Sequence, residues 1–254
     1  MIETAERVGY SGIADNYVYY RQLRAYELTE EHISGDVLEI GSGQGYGLKL
    51  LSPKANTYFA LDKYETPIDQ QQYPNVKFIQ ATVPPLTDVA TDSVDIVVSF
   101  QLIEHIKDDI SLVAEIKRVL KPGGQLILTT PNIKTTLSRN PWHIREYTAG
   151  ELTSLLRRSF DQVEMRGIYG DDTVMTYYEQ NKASVDRIMK YDILDLQHRL
   201  PRWMLQVPFD IMNKRNRLKL SKGNNELLKR IQPINFYLKE VSDQCLDLYA
   251  IATA

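Results

Sequence analysis

The segment Asp36-Val37-Leu38-Glu39-Ile40-Gly41-Ser42-Gly43-Gln44-Gly45-Tyr46-Gly47 restricts the fold more than any other stretch of this chain. An apolar strand runs into a tight glycine turn and then into a helix. Glycine suits that turn because it reaches backbone angles a side chain disfavours and lets bare backbone approach a ligand closely. Three further apolar runs read as buried strands: Tyr58-Phe59-Ala60-Leu61, Val94-Asp95-Ile96-Val97-Val98-Ser99 and Gln125-Leu126-Ile127-Leu128-Thr129. Between the last two, Leu112, Val113, Ile116, Val119 and Leu120 recur at helical spacing, and Lys121-Pro122-Gly123-Gly124 stops the helix. Strand, helix and strand alternate. That order predicts right-handed crossovers and a mostly parallel α/β sheet, which binds ligands beyond the carboxyl ends of its strands.

The flanks add helices. Tyr17, Tyr20, Leu23, Arg24 and Leu28 follow helical spacing, so a helix within residues 1–34 precedes the core and can wall a pocket. Thr148-Ala149-Gly150-Glu151 has the pattern of a capping box ahead of Leu152, Leu155, Leu156 and Phe160, and a strand follows near Val163. From Asp172 to Ser221 the periodicity is again helical, and Leu246 to Ile251 reads as a closing strand. The expected organisation is one domain, with its core in residues 35–171 and 241–254 and a helical cap inserted at 172–240. A chain of 254 residues sits at the upper end of what one core supports.

Composition excludes several classes. Hydrophobic residues make up 43% and charged residues 25%, with no apolar run long enough to span a bilayer, which predicts a water-soluble protein. The opening Met1-Ile2-Glu3-Thr4-Ala5-Glu6 carries acid where an export signal needs a basic stretch, so a cytoplasmic location is expected. A single cysteine, Cys245, makes no intramolecular disulfide and lacks the spacing of a metal site, which leaves packing. The net charge of −3 disfavours nucleic acid as a partner, because phosphate binding needs a surplus of Lys and Arg.

The glycine turn is not a dinucleotide fingerprint. Counting from Gly41, the sixth position is Tyr46 instead of glycine, and no Tyr-x-x-x-Lys pair stands in a suitable place, so a nicotinamide oxidoreductase is disfavoured. The turn instead resembles the first motif of the class I S-adenosylmethionine-dependent methyltransferases. Three later stretches match in order: Asp62 ending the second strand, Phe78-Ile79-Gln80-Ala81, and Ser99-Phe100-Gln101-Leu102-Ile103-Glu104-His105-Ile106. With Leu120 to Gly124, the resemblance spans residues 35–170 and returns at the last strand. It implies a Rossmann-like sheet with helices on both faces, S-adenosylmethionine as cofactor and S-adenosylhomocysteine as by-product. It further implies that Gly41, Ser42 and Gly43 cradle the amino-acid portion, with Glu39 holding the ammonium through charge or water. Asp62 would take both ribose hydroxyls, Gln80 and Ala81 would lie beside the adenine, with Gln80 standing where the family has an acid, and Ser99 and Phe100 of the fourth motif would also bind the cofactor.

Methyl transfer is an in-line displacement at a carbon activated by sulfonium, so the enzyme's work is to place the acceptor and exclude water. No metal is required. An oxygen acceptor benefits from a base, and histidine suits that role. Two of the four histidines have context. His105 lies beyond a strand's carboxyl end, where the plainer alternative is a histidine bonded to backbone. His143 lies in Asn140-Pro141-Trp142-His143-Ile144-Arg145-Glu146-Tyr147, which resembles the acceptor-side loop of methyltransferases acting on quinones, antibiotics and surface sugars. The alternative there is an Arg145–Glu146 ion pair holding the loop while His143 caps backbone.

In the cap, Arg199, Arg202, Trp203, Lys214, Arg215, Arg217, Lys219 and Lys222 mix basic and apolar character, which suits peripheral contact with an anionic membrane. The simpler reading is a solvated helix face with Trp203 packed inward, and a contact between two copies of the chain is a third. The expected activity is O-methylation of a small molecule or a glycan, lipid-linked or free, with specificity shaped by the cap. The alternatives are a protein or RNA methyltransferase and a non-catalytic cofactor-binding subunit.

Overall fold

The computed structural model describes residues 12–254 apart from 67, 70 and 193. The Met1 to Glu6 segment, on which the export expectation rests, lies outside the described residues. The chain runs α1 (Asn16–Thr29), β1 (Asp36–Ile40), α2 (Tyr46–Leu51), β2 (Thr57–Asp62), β3 (Val76–Gln80), β4 (Val94–Phe100), α3 (Asp109–Val119) and β5 (Leu120–Pro131). It continues with α4 (Ala149–Leu156), β6 (Gln162–Gly170), α5 (Asp172–Met189), α6 (Leu196–Arg199), α7 (Arg202–Gly223), α8 (Asn225–Arg230), β7 (Phe236–Glu240) and β8 (Asp247–Thr253).

These strands form one sheet in the order β3-β2-β1-β4-β5-β8-β6-β7. The first five are parallel, and β8, β6 and β7 complete the sheet antiparallel. Successive side chains of a strand point to opposite faces, so the apolar runs supply two cores at once. Leu38 and Ile40 pack with Leu112, Val113 and Ile116 of α3 and Leu152 and Leu156 of α4. Val37, Tyr58 and Val98 pack on the other face with Tyr26 of α1, Leu48 and Leu51 of α2, Val174 of α5 and Leu228 of α8. Each fully buried aliphatic side chain contributes about 1.5–3 kcal/mol, which is why the central strands hold no exposed face.

The local stop and start signals act where the sequence places them. Helix α3 ends at Val119, although β5 begins at Leu120, so Lys121 to Gly124 form an irregular first stretch of the strand, with a register shift opposite Val94 and Ile96. Thr148 and Glu151 make the reciprocal capping box of α4. Cys245 is buried, beside Gly167.

The cap differs from expectation at its end. Phe236–Glu240 is not cap but the edge strand β7, paired antiparallel with β6 from Gly170↔Phe236 to Arg166↔Glu240. The physical reason is Phe236, wholly buried against the α1 side of the sheet with Leu238 packed there in part, which anchors a segment otherwise exposed. Within the cap, α7 is tied down by polar bonds beside the partial packing of Leu220. Asn216 accepts from Ser184 Oγ at 2.7 Å and donates to Asn181 Oδ1 at 2.8 Å, while Arg217 reaches Asp15 at 3.2 Å. Trp203, expected to pack inward, is 72% exposed.

Candidate active site

The glycine turn between β1 and α2 has three left-handed residues, Gly41 (φ 84°), Gly43 (φ 55°) and Gly45 (φ 80°). The backbone N–H groups of Gly41 and Ser42 both donate to Leu61 O, at 2.7 and 3.0 Å, which folds the turn across the end of β2. There Asp62 Oδ2 accepts from Gly43 N and Oδ1 from Tyr64 N, each at 2.9 Å. The Asp62 carboxylate is thereby fixed at the mouth of the turn.

Glu39 lies underneath. Its oxygens accept from Tyr26 Oη at 2.7 Å and Tyr58 Oη at 2.8 Å. Burial pushes its carboxyl above the usual range, while the two phenol bonds pull the other way. Burial and the carboxylate push both phenols well above theirs. Gly47 is required by this arrangement, since a Cβ there would come within 2.7 Å of Tyr58 Oη and 2.9 Å of Glu39 Oε1.

Above the carboxyl ends of the strands opens a cavity of about 1180 Å³. Of the residues singled out in the sequence, Gly41, Ser42, Gly43, Asp62, Ala81, Phe100 and His105 line it. Glu39, Gln80, Ser99 and His143 do not. Gln80 is exposed and donates to Lys63 O at 3.2 Å. Ser99 is fully buried.

The far end of the cavity is built on a 3-10 turn, Ile103–His105. The backbone carbonyl of Glu104 accepts from Ile144 N (2.6 Å) and Arg145 N (3.2 Å), which docks the 140–147 loop onto the turn. The Glu104 side chain is 1% exposed and its Oε2 accepts from Thr130 Oγ1 at 2.9 Å. Burial raises its carboxyl, opposed by His105 and His143.

His105 Nδ1 lies 3.1 Å from Trp142 O, and a carbonyl only accepts, so Nδ1 carries the proton and Nε2 the lone pair of the neutral ring. His143 stands one layer back, its Nδ1 2.6 Å from Glu146 Oε1 and its Nε2 2.9 Å from Asn140 Nδ2. The anticipated Arg145–Glu146 ion pair does not form among the described residues. Arg145 pairs with Asp109 at 3.3 Å and Glu146 pairs with His143.

Sequence reasoning left several lining residues unassigned: Gln22 and Tyr26 of α1, Gln101, Trp142, and Arg202 and Trp203 at the start of α7. Helical spacing gave the signal for the first pair. The start of α7 is brought over by tertiary bonds alone, with Arg202 donating to His143 O at 3.2 Å and Trp142 Nε1 to Asp210 Oδ1 at 3.0 Å.

A parallel run of strands with a glycine turn and a carboxylate at adjacent strand ends defines the Rossmann-like class I methyltransferase architecture. A family model described as "Methyltransferase domain" matches residues 38–128. A "Probable S-adenosylmethionine-dependent methyltransferase" of Mycolicibacterium smegmatis is 34% identical over 218 residues, covering 82% of this chain and 80% of that protein. A relative so described in Mycobacterium tuberculosis is 40% identical over 167 residues, 61% of this chain and 60% of its own length. The ubiquinone biosynthesis O-methyltransferase of Acinetobacter baylyi is 27% identical over 123 residues, 44% of this chain and 49% of its own. Among solved structures, an S-adenosylmethionine-dependent methyltransferase from Thermotoga maritima shares the fold, with a TM-score of 0.54 at 14% identity over 94% of this chain and 90% of that one. The [4+2]-cyclase SpnF does so with 0.52 at 15% identity over 91% and 80%.

The chain belongs to the S-adenosylmethionine-dependent methyltransferases. It is an enzyme that takes its methyl group from S-adenosylmethionine and releases S-adenosylhomocysteine. The residues present fit that cofactor. The cavity exceeds the size of a typical small-ligand site, and Ser42 Oγ lines it buried and without a hydrogen-bond partner among the described residues. At Gly41 a Cβ would come 3.2 Å from Leu102 Cδ1, so bare backbone is needed at that wall.

Proposed function

We propose that this methyltransferase methylates a hydroxyl oxygen of a small molecule or sugar. The observation that carries the reading is His105, which lines the cavity with its ring held in one tautomer by Trp142 O. Gly41, Ser42 and Gly43 hold the amino-acid portion of the cofactor. Asp62, whose carboxylate is held at the end of β2 by Gly43 N and Tyr64 N, takes the ribose hydroxyls, which need acceptor oxygens. Ala81 and Phe100 bound the adenine. Glu39 braces the turn from below through Tyr26 and Tyr58 and acts on the cofactor's ammonium as a buried charge, without lining the cavity.

In the transfer, the acceptor oxygen attacks the methyl carbon, the new C–O bond forms as the C–S bond breaks, and the sulfur keeps the electron pair. The hydroxyl proton passes to His105 Nε2. His143 positions that ring from behind. The likeness to a ubiquinone biosynthesis O-methyltransferase supports oxygen over nitrogen or carbon. Turnover with a panel of phenols, quinols and sugars, set against amines, tests the reading. Methylation confined to amines would overturn it.

A second observation bears on how the acceptor arrives. Trp203, Val207 and Ile211, four residues apart on α7, form an exposed apolar stripe beside exposed Lys214, Arg215, Lys219 and Lys222, and Trp203 itself lines the cavity. An apolar stripe flanked by cations suits an anionic bilayer surface, with an amphiphilic acceptor entering from it. Co-sedimentation with phosphatidylglycerol vesicles, lost in phosphatidylcholine vesicles and in Trp203→Ser/Ile211→Ser, is the expected result. Equal pelleting of that variant would sink the idea. No helix among the described residues is long and apolar enough to cross a membrane.

A further inference from the structure

The acceptor end of the cavity holds a cluster of three donor groups, of which the methyl-transfer reading uses only the His105 ring and its His143 support. Glu104, His105 and His143 each offer one donor atom, and the three atoms lie within 4.8 Å of one another. We propose that this cluster binds one divalent transition-metal ion of the zinc class. Two imidazoles and a carboxylate are a donor set that suits zinc, cobalt or iron, whereas calcium and magnesium prefer oxygen ligands throughout.

Several independent observations agree. Each ring has its Nδ1 engaged by an acceptor, Trp142 O for His105 and Glu146 Oε1 for His143, which leaves the lone pair on Nε2 in both. An imidazole whose other nitrogen donates to a carbonyl or carboxylate is the arrangement that orients metal-ligating histidines and raises their basicity. The Glu104 carboxylate is buried, and a charge taken out of water is costly without a cation beside it. Ligands around a tetrahedral ion with bonds of about 2.1 Å lie about 3.4 Å apart, so donors within 4.8 Å of one another need to close by at most about 1.4 Å. Asn140 Nδ2, which donates to His143 Nε2 at 2.9 Å, turns aside as the ion enters.

The position carries the functional meaning. Three protein ligands leave a fourth site, the pattern of catalytic and not structural zinc. Since His105 lines the cavity while His143 stands behind it, that site is on the acceptor side. With the ion bound, His105 Nε2 is a ligand and not the base; the ion would hold the acceptor hydroxyl at the open site and lower its pKa, so that its proton leaves to solvent. The inference rests on the reading of the His105 end as the acceptor end.

Titration of tag-free, chelator-stripped protein with Co²⁺, followed by visible absorption, tests the proposal, with equilibrium dialysis against Zn²⁺ for stoichiometry. One ion per chain with an intense low-coordinate cobalt band is expected. His143→Ala should weaken binding by more than about tenfold, and the near-isosteric Glu146→Gln by about tenfold, as outer-shell partners do. His198→Ala, on an exposed ring paired with Asp195, should change nothing. Calorimetry with S-adenosylhomocysteine verifies that each variant is folded. Failure of wild type to bind one ion, or unchanged affinity in both His143→Ala and Glu146→Gln, would overturn the proposal. Both readouts need no acceptor and no turnover, so failure of the O-methylation reading remains a separate result.

Discussion

The rings of His105 and His143 meet edge to face, their centroids 5.0 Å apart and their planes at 80°. One belongs to the turn after β4 and the other to the loop after β5, and the Glu104 carbonyl joins them by accepting from Ile144 N and Arg145 N. Only the first ring reaches the cavity. His105→Ala is therefore expected to lower kcat by about 10²–10⁴-fold, the usual span for a lost general base, with cofactor affinity unchanged. His143→Ala should act through ring placement and cost less. Steady-state kinetics beside calorimetry with S-adenosylmethionine separates the two; equal losses would show that His143 acts directly, on the acceptor or as a ligand of a shared ion.

In the proposed site Asp62 carries the ribose contact. Hydrogen bonds to a charged group contribute about 1.5–3 kcal/mol, so Asp62→Ala should weaken S-adenosylhomocysteine binding by about 10–100-fold in a calorimetric titration. Unchanged affinity would remove Asp62 from the cofactor site.

Gly47 packs against the Tyr26–Glu39–Tyr58 cluster with no room for a methyl group. Gly47→Ala should destabilise the fold by about 1–3 kcal/mol, as overpacking does, measured by urea unfolding.

Glu39 and Glu104 both have carboxyl groups raised by burial above their ordinary value of 4.5. The folded state then holds more protons than the unfolded state in the window that opens at that value and extends upward. Stability must fall as pH rises through it. Glu39→Gln removes one titrating group, so the decline should be shallower in the variant. Unfolding free energies measured across this range check the sign, and a parallel slope would mean that Glu39 is ionised throughout.

Arg21 of α1 forms a bidentate pair with Asp247 of β8, whose carboxylate is 2% exposed and also accepts from Gln101 Nε2 at 3.2 Å. Arg21→Ala leaves that carboxylate without its cation and should cost about 3–5 kcal/mol. Arg21→Ala with Asp247→Leu should recover part of the loss in the same unfolding measurement.

Much of this was legible in the chain itself. The apolar runs at 37–40, 58–61, 94–99 and 125–129 became neighbouring strands, because a strand buried on both faces must be apolar at consecutive positions. The glycine turn and Asp62 came together because both end adjacent parallel strands. Phe236–Glu240 was misplaced because it contains one buried anchor at an edge, too little periodicity to separate from the helices before it. Glu39 reads as a ligand from its motif, yet two tyrosines from α1 and β2 claim both its oxygens.

Sequence by itself determined the sheet, the cofactor turn and the class of reaction. These depend on local backbone requirements and on period-two burial, which are written along the chain. Tertiary structure alone decided the acceptor end. Glu104, Trp142, His143 and Arg202 converge through bonds between residues up to 59 positions apart, each made by a carbonyl or side chain that has no pattern of its own. No spacing rule records such contacts, because they exist only once the sheet has brought the loops after β4 and β5 side by side and α7 has closed over them.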